Sequence, residues 1–274
     1  MTGGALVSRI TDRLRGGPAH TLELARDVLC LTGHTGAASA AVFALLGSDP
    51  RFLVDGKGLW SLASPDRVPG PPLDDLSYAV VDVETTGGGY HDGHRIMEIA
   101  VVEVHGGAIV DEWQTLVNPG RPVSPFVAGL TGIHDRMLAV APAFEHVAPE
   151  LWDRLDGRVF VAHNAAFDWR FVSAQLGEAL GDRPDCPRLC TIRMVRRLVP
   201  RLRRRNLDAV SRHFGVRVFD RHRAYGDALA TARVLLRLLD EAGGRGLHDM
   251  EELERFLREP RKRKKQPRRV SPDA

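Results

Sequence analysis

Cysteine is scarce in this chain: Cys30, Cys186 and Cys190 are the whole complement in 274 residues. An odd number of cysteines, at no zinc-ligand spacing, speaks against a disulfide framework or a structural zinc site and predicts a reduced, cytoplasmic protein. No run of about 18 apolar residues occurs, so no membrane-spanning helix and no membrane partner are expected. The N-terminus lacks a basic stretch followed by an apolar core and does not look like a signal peptide. The length leaves no room for a polymerase or helicase beside another unit. What remains, with 43% hydrophobic and 27% charged residues, is ordinary globular composition.

The net charge of +3 is unevenly held. The segment from Arg261 to Arg269 carries seven positive charges, and removing it takes the chain from +3 to −4. The body is therefore mildly acidic. A basic tail of this kind contacts phosphates without sequence preference or serves simply as a solubilising end. Another basic cluster, Arg193, Arg196, Arg197, Arg201, Arg203, Arg204 and Arg205, lies in the second half of the chain. Arg193, Arg196 and Arg197 share one face of an expected helix ending near Pro200, read either as a solvated face or as a phosphate contact.

Against this background a few acidic residues stand out by context. Asp82 and Glu84 follow the apolar run Tyr78-Ala79-Val80-Val81 and precede Thr85-Thr86-Gly87. In a strand, residues i and i+2 point to the same face, so the two carboxylates lie side by side. Like charges that close repel unless a cation lies between them. Hard oxygen donors without cysteine favour Mg²⁺ or Mn²⁺ over Zn²⁺. A solvated, idle D-x-E on an edge strand is the bland alternative. Asp168 follows a second apolar run, Arg158 to Ala162, and begins a segment with helical spacing at Phe167, Phe171, Leu176 and Leu180. Asp227 opens a helix with apolar residues at Leu229, Val234, Leu235 and Leu238, and His222 precedes it by five residues.

The three contexts, V-V-D-V-E-T-T-G, H-N-A-A-F-D and H-R-A-Y-G-D, occur in this order and resemble the DEDDh family of 3′–5′ exonucleases. Within it the nearest likeness is to the proofreading (epsilon) subunits of bacterial DNA polymerase III, over about Ser77 to Asp240. The resemblance implies that Asp82, Glu84, Asp168 and Asp227 bind two divalent ions, Mg²⁺ or Mn²⁺. It implies that Asn164 and Phe167 lie beside the substrate strand, that Thr85 and Gly87 meet the terminal nucleotide, and that Thr131, Gly132 and Ile133 pack against the terminal base. The resemblance, through the H-x4-D spacing of its DEDDh subgroup, also implies that His222 is the general base, a task that suits imidazole with its ordinary pKa of about 6.5. The histidines of the loop Gly87 to His94 are read as part of a mobile, solvated segment beside the site.

The resemblance implies an α/β fold, a ribonuclease H-like mixed five-stranded sheet flanked by helices. Its strands fall at about 77–84, 95–105, 108–117 and 158–163, with a helix near 143–155. A small α+β unit precedes it, expected over 1–66. There Leu6, Ile10 and Leu14 mark a first helix, Thr21 caps a second through about Leu31, and Thr35 caps a third through about Leu46. Gly56-Lys57-Gly58 between Phe52-Leu53-Val54 and Leu59-Trp60-Ser61 reads as a hairpin. Three helices and a hairpin resemble a winged helix, but the third helix holds no Lys or Arg, which favours a packing role or a protein partner over DNA reading. A proline-rich linker is expected over 67–76, the catalytic unit over 77–245, and a C-terminal helix with the basic tail over 246–274.

The functional expectation is hydrolysis of single-stranded DNA 3′ ends to nucleoside 5′-monophosphates. The alternatives are a 3′–5′ exoribonuclease using the same chemistry, as in the oligoribonuclease and ribonuclease T relatives, and a non-catalytic nucleic-acid-binding protein on the same fold.

Overall fold

The computed structural model describes residues 3–63 and 70–259. The end of the expected N-terminal unit (64–66), the start of the expected linker (67–69) and the basic tail lie outside the described residues. The N-terminal part runs α1 (Gly3–Arg15), β1 (Ala19–His20), α2 (Thr21–Asp27), α3 (Thr35–Leu46), β2 (Phe52–Val54) and β3 (Leu59–Leu62). These strands form an antiparallel sheet in the order β1-β3-β2. Ile10, Leu24, Val42, Leu46 and Trp60 share a core drawn wholly from this part of the chain. The hairpin turn is held by the Asp55 carboxylate, which accepts from the amides of Lys57 at 2.9 Å and Leu59 at 2.8 Å.

Three local expectations here need correction. Thr21 does not cap α2. Its hydroxyl donates to the Gly58 carbonyl at 2.9 Å and accepts from the Trp60 indole at 3.0 Å, while His20 is the cap through Nδ1 and the Leu22 amide. Burial beside Trp60 outweighs the capping preference of threonine. The helix also stops at Asp27, short of Leu31. Helix α3 has its expected span, but His34 occupies the cap position and no side chain caps it.

The larger part contains β4 (Tyr78–Thr85), β5 (Ile96–His105), β6 (Ala108–Leu116), α4 (Pro125–Thr131), α5 (Asp135–Leu138), α6 (Phe144–Leu155), β7 (Val159–Ala162), α7 (Ala165–Leu180), β8 (Arg188–Cys190), α8 (Thr191–Leu198), α9 (Leu207–Phe214), α10 (Ala224–Gly243) and α11 (Met250–Arg258). The sheet order is β6-β5-β4-β7-β8. β5 pairs antiparallel with β4 and β6, and β7 pairs parallel with β4 and β8. This is the mixed five-stranded sheet that the family resemblance implies, with β8 as the strand that the residue pattern did not reveal. Among the described residues, no helix is long and apolar enough to cross a membrane.

Strand β4 is covered on both faces, which is why its first residues are uniformly apolar. Tyr78 and Val80 pack toward α8, α10 and α11, whereas Ala79, Val81 and Val83 pack toward α6 and α7. Each fully buried valine or leucine contributes roughly 1.5–3 kcal/mol. The alternation puts Asp82 and Glu84 on the Tyr78 and Val80 face, the face of α10. Leu73, inside the segment expected as linker, is buried and accepts from the Tyr78 hydroxyl at 2.7 Å. At the other end Leu253 and Leu257 of α11 complete the α10-side core. The guanidinium of Arg197 stacks over Phe256 at 4.6 Å and donates to the Glu259 carbonyl. That arginine holds α11 in place, so the face it shares with Arg193 and Arg196 is not simply solvated.

Candidate active site

Three elements converge at the C-terminal end of β4. The strand supplies Asp82 and Glu84, the first turn of α7 supplies Asp168, and the first turn of α10 supplies Asp227. Asp82, Glu84 and Asp227 each present a carboxylate oxygen such that all lie within 4.8 Å of one another. Asp168 is outside that trio. It is 4% exposed, and its Oδ1 accepts from the Val83 amide at 3.3 Å, between the two strand carboxylates. A register shift between Glu84 and Thr85 ends the regular pairing with β5 at this point.

The electrostatics are those of an under-neutralised cluster. Burial raises the Asp82 carboxyl well above the usual carboxylate range, and the neighbouring charges of Asp168, Asp227 and Glu84 raise it further. Burial, then Asp227 and Glu98, pushes Glu84 up to about 7. Burial likewise pushes Asp168 up to about 7, against the backbone hydrogen bonds that favour its charged form. Burial also raises Asp227, opposed by Arg221, which donates to Asp227 Oδ2. Asp227 Oδ1 is buried with no hydrogen-bond partner among the described residues. Three hard carboxylates within mutual reach, one of them carrying an orphaned oxygen, fit a divalent cation.

His222 lies on the loop just before α10, with a left-handed backbone (φ 62°), and its amide donates to Asp227 Oδ2 at 3.3 Å. His163 is a contrast. Its two ring nitrogens are engaged by the Thr191 hydroxyl at 2.8 Å and the Arg205 carbonyl at 2.9 Å, and burial pushes its pKa down to about 4. That histidine is a fixed internal strut.

The expected substrate contacts divide. Asn164 is exposed at the start of α7, in a left-handed conformation (φ 89°). Phe167 is half-buried one turn on, with its ring 5.2 Å from that of Phe171. Thr85 is buried and donates to the Gly87 carbonyl at 2.8 Å. A Cβ on Gly87 would collide with the His94 ring, so the missing side chain makes room for a neighbouring residue of the chain itself. His94 is in turn hydrogen-bonded to the Thr86 hydroxyl at 3.2 Å. Of the two loop histidines, His94 is thus packed, whereas His91 is exposed as expected of a solvated segment. Ile133 is fully buried and Thr131 is 5% exposed, its hydroxyl donating to the Val127 carbonyl and accepting from the Ile133 amide. Of that segment only Gly132 is exposed, so Ile133 in this conformation is a core residue and not a base contact.

Sequence reasoning missed the partners of the loop. Arg221 bridges Asp227 and Asp208, the latter at 2.8 Å. Arg223 meets Glu98, which is 2% exposed in β5 and stands opposite Glu84 in the strand register. The available signal was a lone charge inside the apolar run Ile96-Met97-Glu98-Ile99-Ala100, since a buried carboxylate requires a partner.

A family model described as "Exonuclease" (RNase T) matches residues 79–235. The chain is 36% identical over 182 residues to a PolC-type DNA polymerase III of Thermotoga maritima, covering 66% of this chain and 13% of that one. It is 36% identical over 164 residues to the 3′-5′ exonuclease DinG of Bacillus subtilis, covering 60% and 18%. The chain thus spans less than a fifth of the length of either relative. Among solved structures, exonuclease X in complex with 5′ overhanging duplex DNA superposes with a TM-score of 0.52 at 29% identity, covering 66% of this chain and 99% of that one. The nuclease domain of 3′hExo, a DEDDh family member bound to rAMP, gives 0.54 at 19% identity with the same coverage and shares the fold.

Proposed function

Because this chain belongs to the exonuclease family, we propose that it is a divalent-metal-dependent 3′–5′ exonuclease, releasing nucleoside 5′-monophosphates from single-stranded DNA ends. The observation that supports this best is the convergence of Asp82, Glu84 and Asp227 within 4.8 Å, with Asp168 beside them and His222 on the adjoining loop. Asp82, Glu84, Asp168 and Asp227 would hold two Mg²⁺ or Mn²⁺ ions. When bound, such ions neutralise charge on the phosphodiester and make water more acidic.

The protein's own residues do the rest. His222 removes a proton from the attacking water. Its left-handed backbone and its amide bond to Asp227 hold it next to the cluster, so the base and the ligands are placed by one loop. Asp168, anchored on the Val83 amide, fixes α7 against β4 and thereby the position of Asn164 and Phe167 at the mouth of the site. Gly132 presents exposed backbone to the terminal nucleotide. The carboxylates are ligands and not nucleophiles, so no covalent intermediate forms. In this reading the N-terminal unit serves packing or a protein partner, and the protein is cytoplasmic.

The test is incubation with 3′-labelled and 5′-labelled DNA and RNA oligonucleotides, with and without Mn²⁺. Mononucleotide release from the 3′ end of DNA, abolished by EDTA, is expected. Cleavage of RNA alone would move the assignment to an exoribonuclease, and EDTA-insensitive cleavage would overturn the metal site.

A further inference from the structure

Glu98 is a buried carboxylate with no place in the ligand trio. Both of its oxygens are taken: Arg223 donates to them from Nε at 3.1 Å each and from a terminal nitrogen to Oε1 at 2.5 Å, and the Ala224 amide donates to Oε2 at 2.9 Å. The carboxylate therefore caps the N-terminus of α10 while gripping the residue just before that helix. Glu98 and Arg223 are 125 residues apart in sequence, so the pair ties β5 directly to the loop that carries His222. The tie is made at the strand position paired with Glu84.

The loop needs such an anchor. Asp220 and His222 both have left-handed backbones, which L-residues seldom adopt and which persist only where the surroundings hold them. Arg223 returns to extended geometry, and its guanidinium is held by Glu98 of β5. Gly226 allows the loop to fold back, since a Cβ there would collide with the Phe219 carbonyl oxygen. We propose that the Glu98–Arg223 ion pair is the positioning device for His222: it sets the offset between that imidazole and the carboxylates of β4 without touching substrate or metal. Buried ion pairs are rarely favoured for stability alone, and fixing one geometry is their best-attested use. The inference rests on the reading of His222 as the base.

Four variants test it: Glu98→Gln, Arg223→Ala, Arg223→Lys and His222→Ala, assayed for kcat, KM and calorimetric Mn²⁺ affinity. Arg223 reaches the surface, so its replacement is a milder challenge to folding than that of Glu98. Misplacing a catalytic group by an ångström is associated with losses of about 100-fold. Arg223→Ala is expected to lose kcat on that order, with KM and Mn²⁺ affinity little changed and with partial rescue by added guanidinium ion. Arg223→Lys, unable to form the forked contact, should fall between. Unchanged kcat in Glu98→Gln and Arg223→Ala, or a kcat loss that tracks weakened Mn²⁺ affinity, would overturn the positioning role. Full activity in His222→Ala would instead overturn the base assignment beneath it.

Discussion

The two sheets of this chain handle buried polar groups in opposite ways. In the small N-terminal sheet the Trp60 indole, 1% exposed, donates to Thr21, which donates to Gly58, and every partner is neutral and satisfied. At the end of β4, carboxylates face one another with Arg221 as the counter-charge of Asp227 and with Asp227 Oδ1 unpaired. Neutral, satisfied hydrogen bonds stabilise a fold at modest cost, whereas crowded like charges destabilise it until something cationic arrives. A closed network marks architecture. An open one marks chemistry.

That contrast is broken most severely by substitution on each side. Asp82→Ala and Asp168→Ala are expected to abolish hydrolysis while circular dichroism and melting remain those of a folded protein. Trp60→Ala should do the reverse, costing the N-terminal unit about 3–5 kcal/mol while turnover on a short oligonucleotide is little changed. A hydrolytically competent Asp168→Ala protein would remove the distinction. His222→Ala comes next, with an expected decrease of about 10²–10⁴-fold in kcat. Wild-type turnover in that variant would exclude it as the base.

A smaller effect sharpens the comparison through stability. Glu84 and Asp168 are pushed up to about 7, so the folded, metal-free protein holds their protons more tightly than the unfolded chain does. Their contribution to stability is full below the ordinary carboxylate range and is lost as pH rises through about 7. The melting temperature in EDTA should therefore fall between about pH 5 and about pH 8, and Mn²⁺ should restore it at the upper end. Asp82→Asn should raise the melting temperature in EDTA at about pH 8 by relieving repulsion. A melting temperature that rises over this range in EDTA would contradict the cluster's electrostatics.

The smallest effects concern the ends. Removing residues 261–274 should flatten the dependence of log affinity on log salt by about 0.7 for each phosphate the tail neutralises, as measured on a single-stranded oligonucleotide. Starting the chain near Pro72 should change that slope little, because α3 carries no Lys or Arg. A larger effect from the N-terminal truncation would assign nucleic-acid binding to the small unit.

The difference between the two regions also decided what was legible in the sequence. The strands around Asp82 and Glu84 were readable because both faces of β4 are buried and its apolar run stops where the charges begin. Asp168 and Asp227 were readable from helix starts, although not the fact that Asp168 stands apart from the trio, anchored on Val83. The clamp between Glu98 and Arg223 was hidden because it joins residues far apart in sequence, and the roles of Ile133 and Gly87 turned on packing against Met97 and His94 that no spacing encodes. In the small unit, the cap at Thr21 was misjudged because a distant tryptophan claims its hydroxyl.

The central claim is that the carboxylates at the end of β4 are crowded in order to bind metal. Calorimetric titration of Mn²⁺ into the wild-type protein and the Asp82→Asn and Asp227→Asn variants tests it without reference to any substrate. The account predicts two ions bound per wild-type chain, with affinity weakened by at least roughly tenfold in each variant. Equal Mn²⁺ binding by the wild type and both variants would contradict it.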